Sequence, residues 1–521
     1  MPRFLGSACL LALAMGAAPV AAQSFPVDDP TLRQIWAEGM VRSQVTGLLQ
    51  VLSDSIGPRL TGSPGILAGQ EWLKASYAKW GITARSEKYG TWTGWRRGPT
   101  HIDLIAPRLR SLEGQMLAWS PGTKGKSVEG GTVILGNPSD SAAFAAWLPL
   151  AKGKFVLMSF NEPTCRTDSS YVKWAGLEAF ASMAIRREAD REARTEQVPS
   201  RGAGANALAA RLEAAGALGL ISSSWSSGWG TARFFQARTT QVPTVGLGCE
   251  DYTLLYRLTE HRQGPVLRVS AESEFGGDVP VFNVIGEIKG REKPNEYVML
   301  SAHFDTWDGA SGTTDNGTGT VIMMEAMRIL KTVYPNPKRT LQVGHWSGEE
   351  QGLNGSHAFV EDHPDVLDGL HALFNQDNGT GRVASVSTSG LVGAGVQFGH
   401  WFSRLPDELS KGVELSLPGL PSGGGTDHGS FSCAGAPGFN LGSESAEYGE
   451  YTWHSNRDTF DKLLPENLRR NATIVAMLAY LAAEDPVKTP RDRRILPVVD
   501  GKQTVWPECN KAVRSRAQWL R

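Results

Sequence analysis

From residue 276 to the C-terminus, short apolar runs alternate with helix-like stretches, and the apolar runs end in polar, glycine-bearing turns. "NVIGEI", "EYVMLSAHFD", "RTLQVGHWS" and "HALFNQDNG" read as strands. "GTGTVIMMEAMRILKTV" and the late "NLRRNATIVAMLAYLAA" read as helices. Alternation of this kind predicts an α/β fold, a mixed and mostly parallel sheet covered by helices. In such sheets ligands bind beyond the carboxyl ends of the strands. The chemistry is therefore expected in the turns after "VMLSA", "LQVGHWS" and "ALFNQ".

Upstream, residues 31–80 read as helical with a break at "IGPRLTGSPG", and "AGQEWLKASYAKWG" ends at Gly81, a C-cap residue. Short strands are expected from "THIDLIAP" to "GTVILGNP". Between 127 and 275 the texture changes. "GKFVLMSF" and "QVPTVGLG" read as strands around the Ala-rich helix of "ANALAARLEAAGALGLISSS", and no cluster of His and carboxylates is present. This segment is expected to be an inserted, smaller α/β unit. The division is then 1–22, 23–126 as the first part of a catalytic domain, 127–275 as the insert, and 276–521 as its main part.

Residues 1–22 read as an export signal. Arg3 supplies the basic start, Phe4 to Ala18 the apolar stretch, and "VAA" before Gln23 a small-residue cleavage site. No later run reaches the ~20 apolar residues of a membrane span, so a periplasmic or secreted protein is expected. The net charge of -1 gives no electrostatic reason to expect nucleic acid or an anionic membrane as partner. Cys9 leaves with the signal, and Cys165, Cys249, Cys433 and Cys509 remain with their pairing open.

The turns carry the polar groups. "SAHFDTWDG" offers His303 and Asp305, "GTTDNGTG" offers Asp315, and "HWSGEEQG" offers Glu349 and Glu350. Asp377 follows in "FNQDNGTG" and His454 in "YTWHSNRDT". Singly these are capping, turn or buried structural residues. Together they supply two imidazoles and enough carboxylates to hold a pair of divalent ions, with one carboxylate left over to act as base.

The order His-x-Asp, Asp, Glu-Glu, Asp, His resembles the M28 family of co-catalytic zinc exopeptidases. "GPRLTGSPG" and the interrupted domain are similar to its carboxypeptidase Q branch, and the likeness spans nearly the whole mature chain. The resemblance implies the zinc exopeptidase fold, with the 127–275 segment as a protease-associated insert. It implies that His303 and Asp377 hold one zinc, that Glu350 and His454 hold the other, and that Asp315 bridges. Glu349 would be the general base toward a water between the ions, and Asp305 would orient His303 through its second ring nitrogen. Cobalt or manganese suits the same donors.

"SGGGTDHGSF", with Asp427 and His428, resembles a family motif beside the active site that positions substrate. Tyr451 is a candidate donor to the developing oxyanion. Glu444, Glu447 and Glu450 are candidates for a substrate α-amine. The implied partners are small peptides, dipeptides with unblocked termini above all, and a homodimer is compatible with the family. The sequence lacks the GxSxG of a serine hydrolase and the HExxH of a single-zinc protease, and Ser120 breaks the only P-loop-like stretch. A glutaminyl cyclase-like acyltransferase, or a non-catalytic binding protein, is the alternative on the same fold.

Overall fold

The structure is a computed structural model that describes residues 25–520 apart from 27, 137–139, 197–203 and 500. The expected export signal lies outside the described residues.

Strand pairing links a single 14-stranded sheet. At its centre Lys293–His303 runs parallel to Arg339–Trp346 on one side and to Leu370–Asn375 on the other. Gly438–Ser443 continues the parallel set beyond Leu370–Asn375. Every residue of Arg339–Trp346 is buried, as expected of a strand covered on both faces.

The strand period of two sorts side chains between two cores. Val298, Leu300 and Ala302 enter the larger one, beneath the helices Thr318–Val333 and Pro465–Glu484. Met299 enters the opposite one with Trp346, Phe359, Leu373 and Phe431. Helices therefore cover both faces, and the turns at the carboxyl edge are held from above and below.

A long antiparallel ribbon, Thr83–Ala106 against Val266–Ile288, runs from this sheet into a second unit. Register shifts at Lys88/Gly90, Thr93/Trp95 and Arg97/Thr100 bend it, the usual effect of bulges. The second unit holds the parallel strands Val128–Ile134, Lys154–Leu157, Gly219–Ser222 and Thr244–Leu247. Its core also draws on Ile102, Leu104, Leu112 and Met116, ahead of position 127. The ribbon strand Val266–Ile288 passes through position 275 without a break. Cysteine pairing, left open by the sequence, is Cys165–Cys249 within this unit and Cys433–Cys509 at the C-terminal tail. Among the described residues no helix is long and apolar enough to cross a membrane.

Candidate metal centre

The polar residues expected at the carboxyl edge are delivered there by several elements, with Glu349 and Glu350 sharing one. His303 closes Lys293–His303 and is 1% exposed. Asp315 sits in the turn Thr313–Gly317, ahead of the helix Thr318–Val333. Glu349 and Glu350 follow Arg339–Trp346, and Asp377 follows Leu370–Asn375. His454 comes from the loop after Tyr448–Thr452, with φ of 58°. A left-handed non-glycine residue persists only where its surroundings hold it. Here Trp453 stacks on the imidazole at 3.9 Å and Phe235 meets it edge-on at 5.2 Å.

The two carboxylate oxygens of Asp315 face different histidines. Oδ1 lies 3.3 Å from His303 Nε2, and Oδ2 lies 3.2 Å from His454 Nε2. Asp377 Oδ1 is 3.2 Å from His303 Nε2, and Glu350 Oε2 is 2.9 Å from His454 Nε2. Two groups that can hold a metal ion result, His303–Asp315–Asp377 and Asp315–Glu350–His454, the donor atoms within each lying no more than 4.8 Å apart. The donor types, imidazole and carboxylate, fit zinc as well as cobalt or manganese. Glu349 belongs to neither group.

Asp305 holds the site differently from the sequence expectation. His303 Nδ1 bonds the main-chain carbonyl of Asp305 at 3.0 Å, while the Asp305 carboxylate stays 3.9 Å away. That carboxylate instead accepts the main-chain N–H groups of Glu349 and Glu350, at 3.1 and 3.3 Å. Residue 305 thus fixes a ring with its main chain and the Glu349–Glu350 turn with its side chain. The Trp307 N–H adds a bond to Glu350 Oε1 at 3.3 Å.

Burial and close charges set the protonation of the centre. Burial pushes Glu350 up to about 7, with His454 acting against it. Burial also raises Glu349 well above the carboxylate range, opposed by His303 and reinforced by Asp377, Asp427 and Glu350. His454 resists burial and is held up at about 10 by Glu350 and Asp315. Asp315 is lowered in spite of its burial, by His303 and His454.

Asp427 is fully buried, and burial lifts it to about 7, with His303 opposing and Asp377 and Asp305 reinforcing. Burial pushes neighbouring His428 down to about 4, so it is neutral at pH 7. Tyr451 lines a cavity of about 690 Å³ with Glu447, Glu450 and Arg233, and none of the paired metal donors lines it. Tyr448, three residues earlier and missed in the sequence, is the tyrosine exposed to the charges of Asp315, Asp377, Asp458 and Glu350. Glu444 is engaged by Arg382 at 2.7 Å. Phe235 was also missed, because it reaches His454 from the second unit, far away in sequence.

Paired donor groups at the carboxyl edge of a helix-covered parallel sheet make a candidate metal centre, and similarity to known proteins narrows the class. Residues 283–479 match Peptidase family M28, and that match together with the relatives below supports a metallo-exopeptidase. The chain's particular likeness is to carboxypeptidase Q: 25% identity to the human protein over 85% of this chain and 86% of that one. The fold is also that of the peptidase M28 precursor from Shewanella amazonensis SB2B, with TM-score 0.65 and 23% identity over 88% of this chain and 97% of the other. A zinc aminopeptidase from Bacillus subtilis shares it at TM-score 0.55 and 19% identity, over 85% and 96% of the two chains.

Proposed function

We propose that the chain is an exported dizinc exopeptidase that hydrolyses dipeptides or short peptides with unblocked termini. One observation carries the reading: the Asp315 carboxylate is divided between His303 and His454, each of which has its own second carboxylate. A single ion would need only one of these sets. In this reading His303 and Asp377 hold one ion, Glu350 and His454 the other, and Asp315 both. The 127–275 segment is read as a protease-associated insert, and the disulfides suit an oxidising compartment.

When bound there, the ions supply polarisation of the scissile carbonyl and acidification of water. The chain's own residues do the proton work. Glu349 takes a proton as the water oxygen bonds to the carbonyl carbon, then gives it to the departing nitrogen as the C–N bond breaks. Neutral His428 and Asp427 lie on the Asp377 side of the centre and are assigned to substrate positioning. Tyr448 takes the place of Tyr451 as candidate donor to the developing oxyanion.

The test is a dipeptide panel, each member free, N-acetylated and C-amidated, with chelator and with zinc restored. Free dipeptides should be cleaved, cleavage should cease with chelator, and zinc should restore it. The block that stops cleavage identifies the terminus that is read. Zinc binding without cleavage of any member would overturn the exopeptidase reading in favour of an acyltransferase or a binding protein.

A further inference from the structure

The "GPRLTGSPG" stretch is tied to the metal centre by one side chain. Arg59 is 0% exposed. Its Nε donates to the Phe304 carbonyl at 2.8 Å, and Nη2 donates to the Gly312 carbonyl at 2.8 Å. Nη1 donates to the carbonyls of Gly57 and Ser311 at 2.9 and 3.1 Å. Its main-chain N–H reaches Thr306 Oγ1 at 3.0 Å, and its carbonyl accepts from the Thr306 N–H at 3.3 Å. Two residues on, Thr61 Oγ1 donates to the Asp305 carboxylate at 3.3 Å.

Among the described residues no carboxylate forms an ion pair with Arg59. Buried charges are ordinarily paired, so its placement needs another reason. The carboxylates that act on it at longer range are Asp458, Asp305 and Asp315. The cation sits behind the acidic centre, where it offsets the mutual repulsion of those groups.

A second link closes the other side. The Asp458 carboxylate accepts the Thr314 N–H at 2.6 Å and the Asp315 N–H at 3.1 Å. The Asp458 carbonyl accepts the Ser311 N–H at 3.1 Å. Asp458 is 3% exposed and lies four residues beyond His454.

We propose that Arg59 and Asp458 are positioning residues that set the Asp315 carboxylate between His303 and His454. Arg59 fastens the turn after His303 to the turn before Asp315, and Asp458 fastens the Asp315 turn to the His454 loop. A guanidinium suits the first task because its planar fork donates in several fixed directions at once, which a lysine ammonium on a flexible stem does not. Gly312, with φ of 62°, gives the turn a left-handed residue where its carbonyl meets the fork. The assignment rests on the two-ion reading above.

The test compares the wild-type chain with Arg59→Lys and Asp458→Asn, each stripped with chelator and dialysed against buffered zinc. Bound zinc, the visible spectrum of the cobalt-substituted protein, urea unfolding of the metal-free protein, and kcat and KM are measured. Each variant should bind its more weakly held ion at least tenfold less tightly, with a changed cobalt spectrum. In each, kcat should fall at least tenfold with KM little altered. Wild-type zinc affinity and cobalt spectrum in folded variants would overturn the proposal, however much the urea midpoint dropped, because a purely structural role moves the midpoint alone. If Arg59→Lys fails to fold, Asp458→Asn decides by the same readouts. A wild-type chain that takes up one ion would sink the two-ion reading, while the positioning roles would still be scored on that ion's affinity.

Discussion

Glu349 and Glu350 are adjacent in sequence, yet the turn gives them different surroundings. Glu350 lies 2.9 Å from His454 Nε2, and Glu349 stays outside both donor groups. Asp305 makes the division stable by accepting both of their N–H groups. Glu349→Gln keeps the shape and removes the proposed base, so zinc content should stay at the wild-type level while kcat falls about 10²–10⁴-fold, the usual contribution of a general base. Zinc analysis beside steady-state kinetics checks this, and loss of zinc from Glu349→Gln would exchange the roles of the two glutamates. The placement of these residues at one edge was legible in the sequence because each proposed metal donor but His454 follows an apolar strand or opens a helix, where an α/β sheet gathers its ligands. The division of labour within residue 305 was not legible. Whether a main chain or a side chain meets His303 Nδ1 depends on turn geometry, which residue types do not encode. The same holds for Tyr448 against Tyr451, which one helical turn separates.

At the scale of elements, alternation of strands and helices was plain, but the long ribbon was not. Thr83–Ala106 contains Gly90, Gly94 and Gly98 and several bulges, so its period breaks where a sequence reader expects separate short strands. The ribbon carries a second unit whose loop returns to the metal centre. Phe234 N–H donates to the His454 carbonyl at 2.9 Å, and Arg233 pairs with Ser455 in an antiparallel bridge. Phe235 lies edge-on to both His454 and Trp307, at 5.2 and 5.6 Å. The sequence reading of this unit, which found no obvious cluster of His and carboxylates, is silent about what its loop supports. Aromatic contacts of this geometry are worth about 0.5–1.5 kcal/mol beyond buried area, and 1.4 kcal/mol is a factor of ten in rate. Phe235→Ala should therefore lower kcat/KM up to about tenfold while the protein remains folded. Unchanged kinetics in a folded variant would make the second unit a bystander to catalysis.

The whole molecule responds to acid through groups that pull in opposite directions. His345 and His371 are each pushed down to about 3 by burial. His371 stays neutral at the start of Leu370–Asn375, where Nδ1 accepts the Thr489 N–H at 3.0 Å. Between pH 6.5 and about 3 such a histidine takes a proton in the unfolded chain and refuses it in the folded one. The unfolded state then binds more protons, so stability is present at pH 7 and is lost as pH falls through that window. Asp427 and Asp458 behave conversely. Held up to about 7, they bind protons in the folded state before the unfolded chain does, and they add stability as pH falls. The net slope mixes both, and a difference between variants isolates one. His371→Asn preserves an acceptor for Thr489 and removes one titration. Comparing metal-free wild type and variant by urea unfolding at pH 7 and pH 4.5, the stability difference should move in favour of His371→Asn by about 2–3 kcal/mol, at 1.36 kcal/mol per pH unit below 6.5. A difference that stays constant across those two pH values would mean that His371 takes its proton in the folded state as readily as in the unfolded one.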